Sequence, residues 1–361
     1  MIIPSTHDPD GSCRESAAEL SGTPRWCINR RGLGAIIAAG IAAPAVTRPA
    51  FANVTPDLEQ AIGRYLALPG MPAFRLHVGA NGKDLRLEHK ASTPLFIASA
   101  FKTFVLAQFL RDVEAARLSE DMQLTIDDSV RNIGSPVFID LAGHTPAVSV
   151  LEAMMSHSDN MATDAAMLKV GANRVRALIA AANLPSVRIP DSTRILASYL
   201  FGAPYGVDIG WKGIQKVLEG HFPGTPRSPY NDKQTILANA RDMVAWYEQV
   251  LAGTFFSDPA TLIEFKRIHS TSVQIPRILP PGRVAYVKGG EANNLFGFFA
   301  KSMAGQMLIN ESTPVTFCFL VNWANPDGTG FTEVQAEFFA AITNILKGVR
   351  RLYSRGDVAT E

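Results

Sequence analysis

The chain has 361 residues, of which 47% are hydrophobic, enough to bury a core in one domain or in two interleaved lobes. Lys plus Arg number 34 and Asp plus Glu number 33, so no net charge favours binding of nucleic acid or of an anionic membrane. The three cysteines are too few for a disulfide framework. Cys318, in the apolar run Val315–Val321, is predicted to be a buried strand residue.

Residues 1–52 have the pattern of an export signal. Arg30–Arg31 precede the short apolar run Gly32–Val46, and Ala50–Ala52 supplies small residues at a cleavage site. The paired arginines resemble a twin-arginine signal, a route that carries folded proteins. A membrane anchor is the alternative, but the run is shorter than the roughly 20 residues that span a bilayer. We therefore expect residues 53–361 to be exported to the periplasm or secreted, without stable membrane insertion.

The first half of the mature chain is predicted to be mainly helical after an initial hairpin. Apolar residues recur at helical spacing in several segments, and a strand-like alternation flanks an Asn-Gly turn. In chain order the predicted elements are a helix over Pro56–Leu68, strands Phe74–Val78 and Leu85–Leu87 around Asn81–Gly82, and helices over Ser99–Ala116, Val148–Met155, Met161–Leu168 and Asn173–Ala182.

The second half contains a long irregular excursion and then returns to strands. Prolines and glycines recur through Leu184–Asn231, where we predict only one short helix near Ile214–Leu218; such segments are usually functional or mobile. The later elements are a helix over Thr235–Leu251, strands Arg283–Val287, Phe296–Lys301 and Val315–Val321, an amphipathic helix over Phe331–Leu346 and a frayed polar tail, Arg350–Glu361.

This order predicts an α+β fold. Two strands from the start and three from the end form one five-stranded antiparallel sheet, with helices packed on it as an α/β sandwich lobe. The intervening segment, about residues 104–282, forms an all-helical lobe. Residues 53–361 would then make a single domain of two lobes.

A Ser-x-x-Lys motif lies at the start of the strongest predicted helix. Ser99 and Lys102 are three residues apart and project from one face of the first turn. A free serine hydroxyl is a poor nucleophile and needs a nearby base, and a buried lysine can be neutral enough to act as one. The helix start also supplies backbone N–H groups for an oxyanion. An N-cap serine is the purely structural alternative for Ser99.

Two further short motifs follow in order. Ser158-Asp159-Asn160 lies between two predicted helices, where a capping role is the structural alternative. Lys288 ends a predicted strand beside Gly289 and Gly290, where a simple turn is the alternative. Each motif alone is weakly specific, so the order, the spacing and the surrounding residues carry the argument.

In context, the three motifs resemble a known family. Phe96–Lys102, Met155–Asp164 and Val287–Glu291 are similar to the three signature boxes of class A β-lactamases and penicillin-binding proteins. The resemblance covers nearly all of residues 53–346 and implies a β-lactamase/transpeptidase-like fold.

The resemblance also implies roles for the site residues. Ser99 would be the acylated nucleophile, Lys102 its base, and Ser158 the donor of a proton to the leaving atom. The remaining implied roles concern substrate binding: Asn160 contacts a substrate amide, Lys288, Gly289 and Gly290 form the third box beside the substrate carboxylate, and the backbone N–H groups of Ser99 and Glu291 form the oxyanion hole.

The sequence departs from the family pattern at three points. Class A enzymes carry a Glu-x-x-Leu-Asn box that activates the deacylating water; the matching region here reads Val187–Arg194, and Asp191 is the only weak substitute. Gly289 stands where the third box has Thr or Ser, and no arginine follows closely to compensate. Acylation is therefore expected, whereas deacylation and carboxylate recognition are expected to be weak or atypical.

Three functions remain open at this point. The first is an exported serine hydrolase acting on β-lactam, ester or amide substrates; the second is a DD-peptidase acting on peptidoglycan; the third is a non-catalytic binding module. The partner is expected to be a small acyl substrate, not nucleic acid. No cofactor or metal is expected, because the histidines lack ligand spacing, and the sequence leaves the oligomeric state open.

Overall fold

A five-stranded antiparallel sheet organises the fold in the computed structural model, which describes residues 54–80, 83–279, 282–325 and 330–354. The strands follow the order β2-β1-β9-β8-β7, so the first two strands of the chain pair with the last three. Their bounds are β1 Met71–Ala80, β2 Lys83–His89, β7 Ala285–Leu295, β8 Phe298–Leu308 and β9 Pro314–Ala324. This confirms the predicted α+β fold and leaves β7 at one edge of the sheet.

The first hairpin has the predicted short connection. Ala80 of β1 pairs with Lys83 of β2, so two residues join the strands. Asn81–Gly82 themselves lie outside the described residues. Across the junction of the two chain ends, β1 pairs with β9 from Met71 opposite Asn322 to Val78 opposite Val315. Cys318 is fully buried in β9, as predicted.

Two terminal helices cover one face of the sheet. Helix α1 (Pro56–Leu66) begins with a proline at its first turn, and α11 (Phe331–Ser354) ends the described chain. Tyr65 of α1 is fully buried against Phe74 of β1 and Phe319 of β9, and its hydroxyl donates to Leu320 O at 2.7 Å. A buried tyrosine needs such a partner, so this bond fixes α1 on the sheet.

The helical segment between the two groups of strands is centred on a buried helix. Helix α2 (Lys102–Glu114) is buried on nearly all sides from Lys102 to Leu110, so it runs through the core. Around it lie α3 (Ala147–Ser156), α4 (Asn160–Val170), α5 (Ala172–Ala181), α6 (Thr193–Leu200), α7 (Gly210–Leu218), α8 (Ala240–Leu251), α9 (Pro259–Ser270) and α10 (Ile275–Ile278). Two small two-stranded sheets accompany these helices. One pairs β3 (Leu95–Phe96) with β6 (Leu237–Ala238), and the other pairs β4 (Gln123–Ile126) with β5 (Gly143–Pro146).

Several predicted bounds were wrong. The excursion Leu184–Asn231 holds two helices, α6 and α7, rather than one, because the prolines flank α6 without interrupting it. The helix predicted from Thr235 begins only at Ala240, since Asn239 caps it by accepting from Asp242 N and Leu237–Ala238 is a strand. Helices α9 and α10 were not predicted.

The last helix is also longer than predicted. It continues to Ser354, through the start of the tail expected to fray, because Leu346 and Val349 extend its buried face. Residues beyond 354 lie outside the described part of the chain, as does the whole predicted export signal, 1–52. Within the described ranges, no helix is both long and apolar enough to cross a membrane.

Candidate active site

Ser99 sits on a tight turn immediately before the central helix. Ala98–Phe101 forms a 3₁₀ helix that leads directly into α2, so the predicted helix starts as a tighter turn. Ala98 adopts a left-handed backbone conformation with φ of 46°, which is uncommon for alanine and marks a constrained corner. Ser99 remains partly exposed while its neighbours are buried.

The segment before Ser99 is held by side chains from the C-terminal strands. Asn322 of β9 accepts from Phe96 N at 2.8 Å and donates to Phe96 O at 3.0 Å, as a strand would. Ser302 of β8 donates to Ile97 O at 2.6 Å. Because both backbone groups of Phe96 are satisfied by one carboxamide, the chain that carries Ser99 is fixed to the sheet.

Lys102 lies one helical turn after Ser99 and is completely buried. Its Nζ donates to Ser158 O at 2.6 Å and to Asn160 Oδ1 at 2.8 Å, and it lies 3.3 Å from Ser158 Oγ. Burial lowers the pKa of Lys102 to about 7, although Asp159 and Asp164 partly oppose the shift. A lysine with this pKa is substantially neutral near pH 7 and can accept a proton.

Ser158 brings the second motif between two lysines. Its backbone is left-handed, with φ of 61°. Asp159 stabilises this corner: its carboxylate accepts from Ala162 N at the start of α4 and from Val137 N and Phe138 N. The corner directs Ser158 Oγ toward Lys102 and also toward Lys288, whose Nζ donates to it at 2.9 Å. Such strained corners are common where a side chain must be aimed.

Lys288 of β7 is buried and makes two hydrogen bonds. Its Nζ donates to Ser158 Oγ and to Gly289 O at 2.7 Å. Burial and then the nearby Lys102 hold the pKa of Lys288 well below its ordinary value. The first, second and third motifs therefore meet at one hydroxyl group, Ser158 Oγ.

Gly290 allows the edge strand β7 to approach the Ser99 turn. A Cβ atom on Gly290 would lie 2.3 Å from Ile97 O and 2.6 Å from Ser99 N, too close for any other residue. Glu291, the next residue, lines the same cleft as Ser99, and its carboxylate accepts from Lys301 Nζ at 2.7 Å. Burial raises the pKa of Glu291, but Lys301 outweighs it, so the pKa is lowered and Glu291 stays ionised.

The cleft beside Ser99 also includes residues that the motif analysis missed. Asn160 faces it, and the opposite wall consists of Asn132 and of α6, which contributes Thr193, Leu196, Ala197 and Leu200. Asn132 Nδ2 donates to Thr193 Oγ1 at 3.0 Å, which fixes Asn132 to the start of α6 within this wall. The sequence did contain a sign of α6, a serine (Ser192) just before apolar residues at helical spacing. In the structure Ser192 caps α6 by accepting from Ile195 N.

Two buried or paired carboxylates lie near this wall. Asp164 accepts from Thr193 N and Arg194 N, so it fixes the start of α6. Burial raises the pKa of Asp164 to about 6, against the hydrogen bonds from Thr193. Asp191, the weak substitute for the missing glutamate, is paired with Arg176 at 2.6 Å and accepts from Gln234 Nε2 at 2.5 Å. It is not among the described residues that line the cleft.

None of the predicted site residues carries a metal-binding arrangement. Across the described ranges, no group of three or more His, Cys, Asp or Glu side chains is placed to hold a metal ion. His269, adjacent to the site, is buried against Thr103, and burial lowers its pKa to about 3, which keeps it neutral. The arrangement instead offers a hydroxyl nucleophile, a buried amine and a proton-transferring hydroxyl.

The fold and this constellation define the class of protein. A family model described as the β-lactamase enzyme family matches residues 58–310, and the chain belongs to that family. A search of curated proteins found no match.

Solved structures share the fold. A β-lactamase from Chitinophaga pinensis is 16% identical with a TM-score of 0.63, covering 82% of this chain and 99% of its own. The chromosome-encoded β-lactamase of Vibrio parahaemolyticus is 18% identical with a TM-score of 0.61, covering 81% and 98%. A mutant of PBP-A, solved as an acyl-enzyme complex with penicillin G, is 15% identical with a TM-score of 0.59, covering 83% and 96%.

Proposed function

We propose that this protein is an exported serine hydrolase that forms an acyl-enzyme at Ser99, acting on β-lactam, ester or amide substrates, with slow or atypical deacylation. One observation carries the proposal: Ser158 Oγ lies within hydrogen-bonding distance of Lys288 and of Lys102, the lysine that follows Ser99 by one helical turn. Family membership and the likeness to β-lactamases support the same reaction class.

In the proposed acylation step, these groups move two protons. Neutral Lys102 takes the proton from Ser99 Oγ as that oxygen bonds to the substrate carbonyl carbon. The carbonyl oxygen becomes an oxyanion, which the backbone N–H groups of Ser99 and Glu291 stabilise. The C–N or C–O bond then breaks, and the leaving atom takes the proton of Ser158, which is replaced from Lys102. Asn160 positions Lys102 and contacts the substrate amide, while Lys288 orients Ser158.

Deacylation requires a base for the attacking water. The absence of a suitable carboxylate among the described residues that line the cleft is the reason to expect slow deacylation. Asp191 forms an ion pair with Arg176. The nearby cleft wall presents the hydroxyl of Thr193 and the side-chain amide of Asn132 instead of a free carboxylate. A DD-peptidase is the second candidate function, since PBP-A shares the fold and a mutant of it was solved as an acyl-enzyme complex with penicillin G.

The test combines turnover with intact mass. The purified protein is mixed with a chromogenic cephalosporin and, separately, with a short-chain nitrophenyl ester. We expect a covalent adduct on Ser99 that forms faster than it is lost. Ser99→Ala should remove every adduct, whereas Ser156→Ala, whose hydroxyl donates to Glu152 O in α3, should retain it. Full acylation in Ser99→Ala would overturn the proposal.

A long-lived cephalosporin adduct on Ser99, together with cleavage of a D-Ala-D-Ala peptide, would favour the DD-peptidase. Rapid turnover of the cephalosporin would favour a β-lactamase and would contradict slow deacylation. No adduct with any substrate would leave the binding module as the function.

A further inference from the structure

The cleft beside Ser99 extends away from the groups that transfer protons. Lys102, Ser158 and Lys288 are not among the described residues that line it. From Ser99 and Glu291 the lining continues instead to apolar side chains, which include Leu196, Leu200, Phe201, Ile236 and Leu295. Because the leaving atom takes its proton from Ser158 in the proposed mechanism, the apolar part of the cleft is left for the acyl group.

One wall of this apolar part is a single face of α6. Leu196, Ala197 and Leu200 line the cleft, and Phe201 continues the wall directly after the helix. Residues three and four apart on a helix share a face, so these side chains lie together. Leu196 and Leu200 are only 8% and 3% exposed, so packing holds the wall in place before any substrate binds.

A second wall is the end of β7, where a β-bulge turns an additional apolar side chain into the cleft. Side chains alternate along a regular strand, so Ala292 and Leu295, three apart, would face opposite sides. The pairing with β8 shifts from Ala292 opposite Ala300 to Leu295 opposite Phe298, which leaves one extra residue on β7. Both Ala292 and Leu295 therefore line the same cleft. Bulges often re-aim side chains in this way beside active sites.

Three phenylalanine rings connect the two walls. The ring centroid of Phe201 lies 6.3 Å from that of Phe222 and 6.2 Å from that of Phe296, and the latter two are 5.6 Å apart. Phe296 lies in the two-residue turn between β7 and β8 with φ of 55°, which is uncommon for a bulky residue. The rings link the end of α6 to the end of β7, so they limit the length of a group that lies between the walls.

The size and the charge of this space define what it can hold. The cleft has a volume of about 140 Å³, and an apolar cavity of about 150 Å³ binds one benzene molecule. Among the residues that the structure describes along its walls there is no Lys, Arg or His, and the Glu291 carboxylate is paired with Lys301. A carboxylate on the acyl group would therefore lose its water without gaining a cation.

We propose that the acyl group transferred to Ser99 carries an uncharged, apolar chain of roughly six carbons, the bulk of a benzene ring, and that α6 and the end of β7 bind this chain. The inference rests on the proposed function and narrows its substrates to those with an apolar acyl group. Leu196, Leu200 and Leu295 determine this specificity by contact with the chain.

The test uses three 4-nitrophenyl esters with the same leaving group: the acetate, the 6-methylheptanoate and the mono-ester of adipic acid. The last two have similar length and shape and end in an isopropyl group or a carboxylate. The measured quantity is kcat/KM from nitrophenolate release, divided by the rate of hydroxide-catalysed hydrolysis of each ester, with acylation of Ser99 followed by intact mass. We expect the 6-methylheptanoate to exceed both other esters about tenfold or more, since each buried methylene favours binding about fourfold.

Substitutions in the two walls should reduce this preference. Leu295→Asn places a polar amide at the end of β7, and Ala197→Leu fills space beside α6. Each should lower the ratio of 6-methylheptanoate to acetate by about threefold or more. Leu168→Asn on α4 and Ala181→Leu on α5, both at exposed positions, are the matched controls and should keep the native ratio. Circular dichroism checks that each variant is folded, and the comparison of the three esters on the native protein requires no variant.

Two failures are distinguishable. Acylation of Ser99 at equal normalised rates by the three esters, or acylation by the cephalosporin but by none of the esters, would overturn the inference and leave the proposed function intact. Native ratios in both folded wall variants would overturn it in the same way. Ester hydrolysis that persists in Ser99→Ala, or no acylation by any ester or by the cephalosporin, would overturn the proposed function and the inference with it.

Discussion

Lys102 and Lys288 converge on one oxygen atom: their Nζ atoms lie 3.3 and 2.9 Å from Ser158 Oγ. Burial lowers the pKa of both lysines, and the nearby charge of Lys102 lowers the pKa of Lys288 further. A neutral amine at this point can accept a hydrogen bond as well as donate one. Ser158 can therefore pass a proton in either direction between the nucleophile and the leaving atom.

The first prediction concerns pH. Lys102 acts as a base only when neutral, and its pKa is about 7, so the rate of acylation should rise from pH 5, reach half of its maximum near pH 7 and level off at higher pH. Single-turnover mass measurements of Ser99 acylation across pH 5–9 test this. A flat profile would contradict a lysine base, provided that circular dichroism shows a folded protein throughout.

The same pKa predicts a pH dependence of stability. Between about pH 7 and the ordinary lysine pKa of 10.5, the folded protein holds Lys102 neutral while the unfolded chain binds a proton. The unfolded state then carries more protons, so the Lys102 contribution to the free energy of unfolding rises with pH in that window. Urea titrations of native protein and Lys102→Met should show a steeper rise for the native protein; parallel curves would argue against the lowered pKa.

A third prediction concerns the orientation of Ser158. Lys288→Ala removes the 2.9 Å bond to Ser158 Oγ, and acylation should slow by roughly 100-fold, in the range of one general acid–base group. The protein should remain folded, because the substitution removes a buried cation and leaves no unpaired charge behind. Lys212→Ala, an exposed lysine of α7, is the matched control and should react at the native rate. Acylation of Lys288→Ala at that same rate would exclude a role for Lys288.

Gly290 provides a fourth prediction, on stability. Gly290→Ala forces a Cβ atom against Ile97 O and Ser99 N, both backbone atoms that cannot rotate away, and should destabilise the fold by about 1–3 kcal/mol. Gly63→Ala, at an exposed position of α1 with nothing within 4 Å of the new atom, should instead stabilise the fold by roughly 0.5–1 kcal/mol. Chemical denaturation of the pair measures both, and equal midpoints would refute the close approach of β7.

The fifth prediction tests export. Replacing Arg30 and Arg31 by lysines should hold the protein in the cytoplasm as a longer precursor, because the twin-arginine route depends on that pair. N-terminal sequencing of the exported native protein should begin near Asn53, after Ala50–Ala52. An exported double-lysine variant of normal length would show that a different route is used.

Much of this fold and site could be predicted from the sequence because the signals were local. The apolar pattern of α2 and the order of the three motifs were readable without coordinates, and the first two strands followed from alternation around Asn81–Gly82. The wall formed by α6 was missed, since its cap and four apolar positions were masked by the surrounding prolines. The contact between Gln274 and Gly289, where a Cβ atom would lie 2.2 Å from Gln274 Oε1, could not be predicted, because the two residues share no periodicity.

The hydrogen bonds that hold Phe96 determine when the turn before α2 can become ordered during synthesis. Its carboxamide partner, Asn322, is 226 residues away along the chain, and Ser302 is 205 residues from Ile97. A growing polypeptide carries Ser99 long before either partner leaves the ribosome. The turn that carries Ser99 is therefore held in place only after the last strands have joined the sheet.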